Sequence, residues 1–117
     1  MLFVCYPKCS TGKKAQKWLI DHQITFESRH IKEECPTADE LKTWIAKSGL
    51  PVKKFFNTSG LVYKELQLKD KLPQMSEEEQ IALLATDGML VKRPILIGED
   101  FVKVGFKEAD WEDMFGR

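Results

Sequence analysis

At 117 residues the chain is sized for one domain, 1–117, long enough to bury an apolar core without disulfides or a metal. Its 18 basic and 18 acidic side chains cancel, so no net field draws it to nucleic acid or to an anionic membrane, and a basic binding surface would be local. The three cysteines, Cys5, Cys9 and Cys35, are odd in number and follow no export signal, which predicts reduced thiols in a cytoplasmic setting rather than a disulfide framework.

The apolar opening runs into Pro7 and is too short for a signal h-region, and no stretch is long enough to span a bilayer. Leu2-Phe3-Val4-Cys5 instead predicts a short strand buried on both faces. A helix follows from Ser10 to about His22, with an inward stripe of Ala15, Trp18, Leu19 and His22 at spacings of three and four. Ile24 to Ile31 alternates as a second strand. Strand, helix, strand is a βαβ unit, normally parallel and right-handed.

Two reciprocal capping boxes come next, Thr37 with Glu40 and Ser76 with Glu79. The first opens a helix that buries Leu41, Trp44 and Ile45 and ends near Gly49. The second opens one that buries Ile81, Leu84 and Ala85 and ends near Gly88. Between them, Phe55 to Gly60 reads as an apolar turn and loop, and Tyr63 to Leu68 as a further helical turn. The period then changes. Pro94 to Ile97, the tight polar Gly98-Glu99-Asp100 and Phe101 to Val104 predict a hairpin, and Trp111, Met114 and Phe115 give the stripe of a closing helix. The order βαβ, helices, ββα is that of an α/β, thioredoxin-like four-stranded mixed sheet with a helical insertion over about 37–88.

Cys9 stands between the first strand with its Pro7-Lys8 turn and the first helix. Its sulfur should face the orphan N–H groups of Ser10, Thr11 and Gly12, with Lys8 and Lys13 alongside, a setting that favours thiolate. The same donors suit an oxyanion, and Gly12 lets one approach the backbone. The bland alternative is a helix-cap cysteine without a role. Cys5 reads as a small hydrophobe of the strand, with disulfide partner as its functional alternative. Gly12 stands where a CxxC motif would place its second cysteine. Cys35, beside Pro36 in a loop, is a candidate to resolve a Cys9 adduct, though sequence gives no distance. A one-thiol mechanism with an external thiol follows by default.

Arg93 offers either a bidentate anion clamp or a solvated charge. Pro94 after it would start a strand opposite the active helix; cis is the minority state of such bonds, about 5–6%. His22 and His30 read as structural or surface residues, and no cluster has metal-ligand spacing. The aromatics do not interleave with a basic run, so direct binding of nucleic acid has no support.

Four segments together resemble the arsenate reductase (ArsC)/Spx family over essentially the whole chain. They are Tyr6-Pro7-Lys8-Cys9-Ser10-Thr11-Gly12-Lys13-Lys14-Ala15, Phe56-Asn57-Thr58-Ser59-Gly60 with Tyr63-Lys64-Glu65-Leu66, Lys92-Arg93-Pro94-Ile95, and Val104-Gly105-Phe106. The resemblance implies a cysteine that attacks an oxyanion or thiol adduct, arginines that hold it, no bound cofactor, and glutathione with glutaredoxin as external reductant. Cys9 and Arg93 match the cysteine and the first arginine. Two further family arginines fall at Asn57 and Gly105 and are absent. The Spx branch implies another role, regulation of transcription through the C-terminal domain of the RNA polymerase α subunit, with Gly49 where that branch has an interface glycine. Its CxxC switch is removed here by Gly12. A third reading is a reductase of glutathione mixed disulfides.

Overall fold

The structure, a computed structural model, describes residues 1–115. Strand β1, Leu2–Cys5, lies inside a four-stranded sheet. It pairs in parallel with β2, Glu27–His30, from Leu2 opposite Glu27 to Cys5 opposite His30. On its other side runs β3, Ile95–Ile97, antiparallel, with Val4 opposite Ile95; β3 in turn pairs antiparallel with β4, Val102–Val104. The order is β2-β1-β3-β4, a mixed sheet.

Because successive strand residues point to opposite faces, the apolar run of β1 serves two cores. Val4 and Ile95 face one, where Leu41, Trp44, Phe55, Phe56 and Leu84 pack. Phe3, Cys5 and Leu96 face the other, against Ala15, Trp18, Leu19 and Trp111. Helix α1, Ser10–Asp21, covers this second face with Gly12, Ala15, Trp18 and Leu19 buried. The last helix, Glu108–Phe115, joins it there, setting Trp111 edge-on to Trp18 at a 5.7 Å centroid distance. The first face is covered by α2, Ala38–Ser48, and by the short helices Leu61–Glu65 (α3), Leu68–Lys71 (α4) and Glu77–Leu84 (α5); the closing helix is α6. Both capping boxes form, with Glu40 N–H donating to Thr37 Oγ1 at 3.1 Å and Glu79 N–H to Ser76 Oγ at 3.1 Å.

Several elements differ from the periodicity. The second strand is Glu27–His30, four residues long, not Ile24 to Ile31: these residues pair in register with β1 and Ile31 adds one N–H bond to the Cys5 carbonyl, while Ile24 and Phe26 precede the strand and pack under the sheet, Phe26 edge-on to Phe3. His22 lies past the end of α1 and is exposed, stacked on Trp18 with its Nδ1 2.8 Å from the Trp18 carbonyl. The helical turn read at Tyr63 to Leu68 is two helices, divided at Gln67, whose φ of 54° is left-handed. The helix opened by Ser76 stops at Leu84. Gly88 belongs instead to a 3-10 turn, Gly88–Leu90, capped by Asp87, where a Cβ would strike the carbonyl of Ile31. No helix among the described residues is long and apolar enough to cross a membrane.

Candidate active site

The Cys9 loop follows from the way β1 hands the chain to α1. A turn closed by Cys9 N–H donating to the Tyr6 carbonyl at 2.9 Å carries Pro7 and Lys8 at its tip. Cys9 is the N-cap of α1, with extended backbone (φ −76°, ψ 121°), and its side chain makes no capping bond. Lys13 N–H donates to the Cys9 carbonyl at 3.0 Å as the first closed turn of the helix. The N–H groups of Ser10, Thr11 and Gly12 therefore stand ahead of the first intrahelical donor and form the positive end of the helix dipole. No acidic residue lies in that first turn. Cys9 is half-buried, Lys8, Ser10, Thr11 and Lys13 are exposed, and Gly12 is buried. All of these sit on one loop and one helix turn, as their spacing requires.

Gly12 is buried for a reason the sequence does not display. A Cβ at this position would overlap Cys5 Sγ and would lie 3.5 Å from both Cys5 Cβ and Cys9 Cβ. The end of β1 is thus brought against the reactive turn, and Cys5, 7% exposed, packs beside Cys9. Burial pushes the Cys5 thiol up to about 11; the charge of Cys9 adds to the rise, while a backbone hydrogen bond at Tyr6 and the charge of Arg93 oppose it. Cys5 is the small buried residue of the strand that its residue type suggested, and it is also a neighbour of Cys9. The signal available was the pair of offsets, four residues back and a glycine three ahead of Cys9.

Arg93 reaches this end of the sheet because β3 runs antiparallel to β1. Extending the register beyond Val4 and Ile95 places Pro94 beside Cys5 and Arg93 beside Tyr6. The Arg93 guanidinium lies 5.7 Å from the Tyr6 ring centroid and donates to Met89 Sδ at 3.2 Å. It is half-buried, and its charge acts on Cys5. The Arg93–Pro94 peptide is cis, against the base rate, and the buried Pro94 accepts from Gly105 N–H at 2.7 Å through its carbonyl. Tyr6 and Met89, which hold Arg93, escaped the sequence reading: Tyr6 is brought there by the strand register, and Met89, four residues before Arg93, by the turn between them.

Cys35 is placed elsewhere. Its thiol donates to the carbonyl of Ala85 at 3.4 Å, at the end of α5, and its partners lie outside the Cys9 loop. His30 accepts at Nδ1 from Lys32 and Glu33 N–H, a loop-ordering role. The two positions where the family arginines would fall are committed to other work: Asn57 is buried, accepts from Ser59 at 3.2 Å and abuts Gly60, and Gly105 has a left-handed φ of 78°. A cavity of about 900 Å³ lined by Lys53, Lys54, Lys69, Lys92, Lys103 and Lys107 is the local basic surface of the neutral chain, and it is not lined by the Cys9 loop.

Comparison with known proteins finds relatives that share the fold over nearly the whole chain. A structure of an ArsC family related protein from Bacteroides fragilis is 63% identical, covers 97% of this chain and 95% of its own, and superposes with a TM-score of 0.94. A protein from Streptococcus mutans UA159 described as a possible arsenate reductase is 46% identical over 97% and 95% of the two chains, with a TM-score of 0.88. Among curated relatives, YusI of Bacillus subtilis (strain 168) is 53% identical over 97% of this chain and 96% of its own. The regulatory protein MgsR of the same organism is 30% identical over 94% and 86%. With the strand–Cys9–helix loop, the Arg93–Pro94 step and the sheet order all in place, and with the ArsC family model matching residues 5–114, the chain belongs to the ArsC family.

Proposed function

We propose that the protein is a thiol-dependent oxidoreductase in which Cys9 is the nucleophile. The reading rests on one observation above the rest: Cys9 is the N-cap of α1, half-buried, with three backbone donors ahead of the first helical bond and no acid in the turn. Those donors can hold the oxygens of an anionic adduct, and Arg93 adds a fixed positive charge at the same end of the sheet. With arsenate as substrate, Cys9 Sγ bonds to arsenic and an oxygen departs as water. An external thiol then supplies the second sulfur, so that two thiols give up two electrons and arsenic leaves as arsenite. The Cys9 mixed disulfide that remains is reduced by a further thiol, with glutathione and glutaredoxin as the reductants the family resemblance implies.

Asn57 and Gly105 in place of arginines leave fewer charges on a multiply charged oxyanion. This favours a substrate of lower charge, and a glutathione mixed disulfide is the second substrate to assay. Arsenate reduction with glutathione and glutaredoxin, and reduction of a glutathione mixed disulfide, should both fall to background in Cys9→Ser. Equal rates for wild type and variant on each substrate would refute the reading.

A regulatory role has its own support. MgsR is among the relatives, and Gly49 is an exposed left-handed cap with open space where a Cβ would stand. A pull-down with the C-terminal domain of the polymerase α subunit at micromolar concentration tests it, and retention by wild type but not by Gly49→Arg is the result this role requires.

A further inference from the structure

We propose that Cys5 is a second working thiol, which captures Cys9 from a mixed disulfide and forms an internal Cys5–Cys9 disulfide. The inference rests on Cys9 being the nucleophile, and it assigns to the chain itself the thiol that resolves the Cys9 mixed disulfide. The geometry comes from Gly12. The space its missing side chain leaves is filled by Cys5 Sγ, and the Cβ atoms of Cys5 and Cys9 each lie 3.5 Å from the same point. With Cys5 Sγ in that gap and the Cys9 Cβ at its edge, across a turn closed by Cys9 N–H to the Tyr6 carbonyl, the two cysteines are neighbours, the starting arrangement a disulfide requires. Cys35, tied to the end of α5, does not share that gap.

The chemistry balances without an added oxidant. In the mixed disulfide Cys9–S–S–R, Cys5 Sγ attacks Cys9 Sγ; the Cys9–S to S–R bond breaks, the Cys5–Cys9 bond forms, and R–S⁻ departs with the proton Cys5 gives up. The two oxidising equivalents pass from the mixed to the internal disulfide, and an external dithiol returns both cysteines to thiols. Burial keeps Cys5 away from bulk thiols while leaving it in reach of its neighbour. It also holds Cys5 protonated at rest. When Cys9 is bound in a mixed disulfide its charge is gone, one cause of the raised Cys5 pKa disappears, and the favourable charge of Arg93 remains. The second thiol is thus quiet until Cys9 has reacted.

The test is disulfide mapping on the wild-type protein. Reduced protein is treated with oxidised glutathione, quenched in acid, denatured, alkylated and digested for mass spectrometry. A peptide pair joined through Cys5 and Cys9, with Cys35 alkylated and two hydrogens lost from the protein, is the expected result. In Cys5→Ser the Cys9–glutathione adduct should persist, with a lifetime about tenfold longer or more. A stable Cys9–glutathione adduct in wild type, with Cys5 alkylated, overturns the proposal and leaves the one-thiol reading standing. Pairing of Cys9 with Cys35 or with a second molecule also overturns it. No adduct or disulfide at Cys9 overturns both. The wild-type map decides even where the variant does not fold.

Discussion

A side chain at position 12 would occupy the space that Cys5 Sγ fills, so the smallest residue in the loop controls how close strand and reactive turn approach. Gly12→Ala should push that sulfur aside at a cost of about 1–3 kcal/mol, read as a lowered urea midpoint at unchanged slope. A midpoint equal to wild type would show that the contact is slack. Among the described residues, Arg93 is held by the Tyr6 ring and Met89 Sδ rather than by a carboxylate, and those partners leave its charge unneutralised. Arg93→Ala should lower kcat/KM for an anionic substrate by about 10- to 100-fold, with Arg93→Lys recovering part of it, because a lysine keeps the charge but not the fork. At this scale the sequence was informative where chemistry is local: strand, turn, cysteine and helix start follow one another without a break. It did not show that Cys5 meets Cys9 or that Tyr6 and Met89 surround Arg93: Tyr6 is brought there by the strand register, and the other two pairs, each four residues apart, meet only through the turns between them.

Among the elements, the helices with capping boxes were legible because both halves of each box lie within one helical turn of the chain. What Glu40 does beyond its cap was not. Its carboxylate accepts from Arg29 Nη1 and Nη2, the latter at 2.9 Å, tying α2 to the edge strand β2 across eleven residues. The Arg29 guanidinium, with the Thr37 N–H, holds the Glu40 carboxyl down at about 2. A carboxylate depressed on folding contributes stability above its unfolded pKa and loses it as pH falls through the folded one. Glu40→Gln should therefore cost about 1–2 kcal/mol at pH 7, less than the full shift because the pair is partly solvated. The difference from wild type should shrink between pH 4.5 and about 2. Denaturant unfolding of both proteins across that range checks it, and a difference independent of pH would assign the loss to something other than this charge. Element ends were read less well. Gln67 breaks a helix that periodicity ran through, and Gly88 is required by contact with the Ile31 carbonyl rather than by a helix terminus.

Across the whole molecule, one strand divides the interior into two layers, and the position of Cys9 depends on both. Val4 anchors β1 in the layer beneath the helical lobe, and Phe3 and Cys5 anchor it in the layer beneath α1 and α6. Phe55 lies fully buried in the first layer, and Phe55→Ala should cost about 3–5 kcal/mol in unfolding free energy without touching the thiol chemistry of the fraction that remains folded. The overall order of elements was readable from periodicity; the sheet order was not, since no local pattern says that β3 lies beside β1. The central claim is that this architecture makes Cys9 the reactive thiol of the three. Competitive alkylation of the native, reduced protein with limiting iodoacetamide at pH 7, resolved by peptide mass spectrometry, tests it most directly. Cys9 should be modified at least about tenfold faster than Cys35, with Cys5 the slowest. Modification of Cys35 as fast as Cys9 would contradict it.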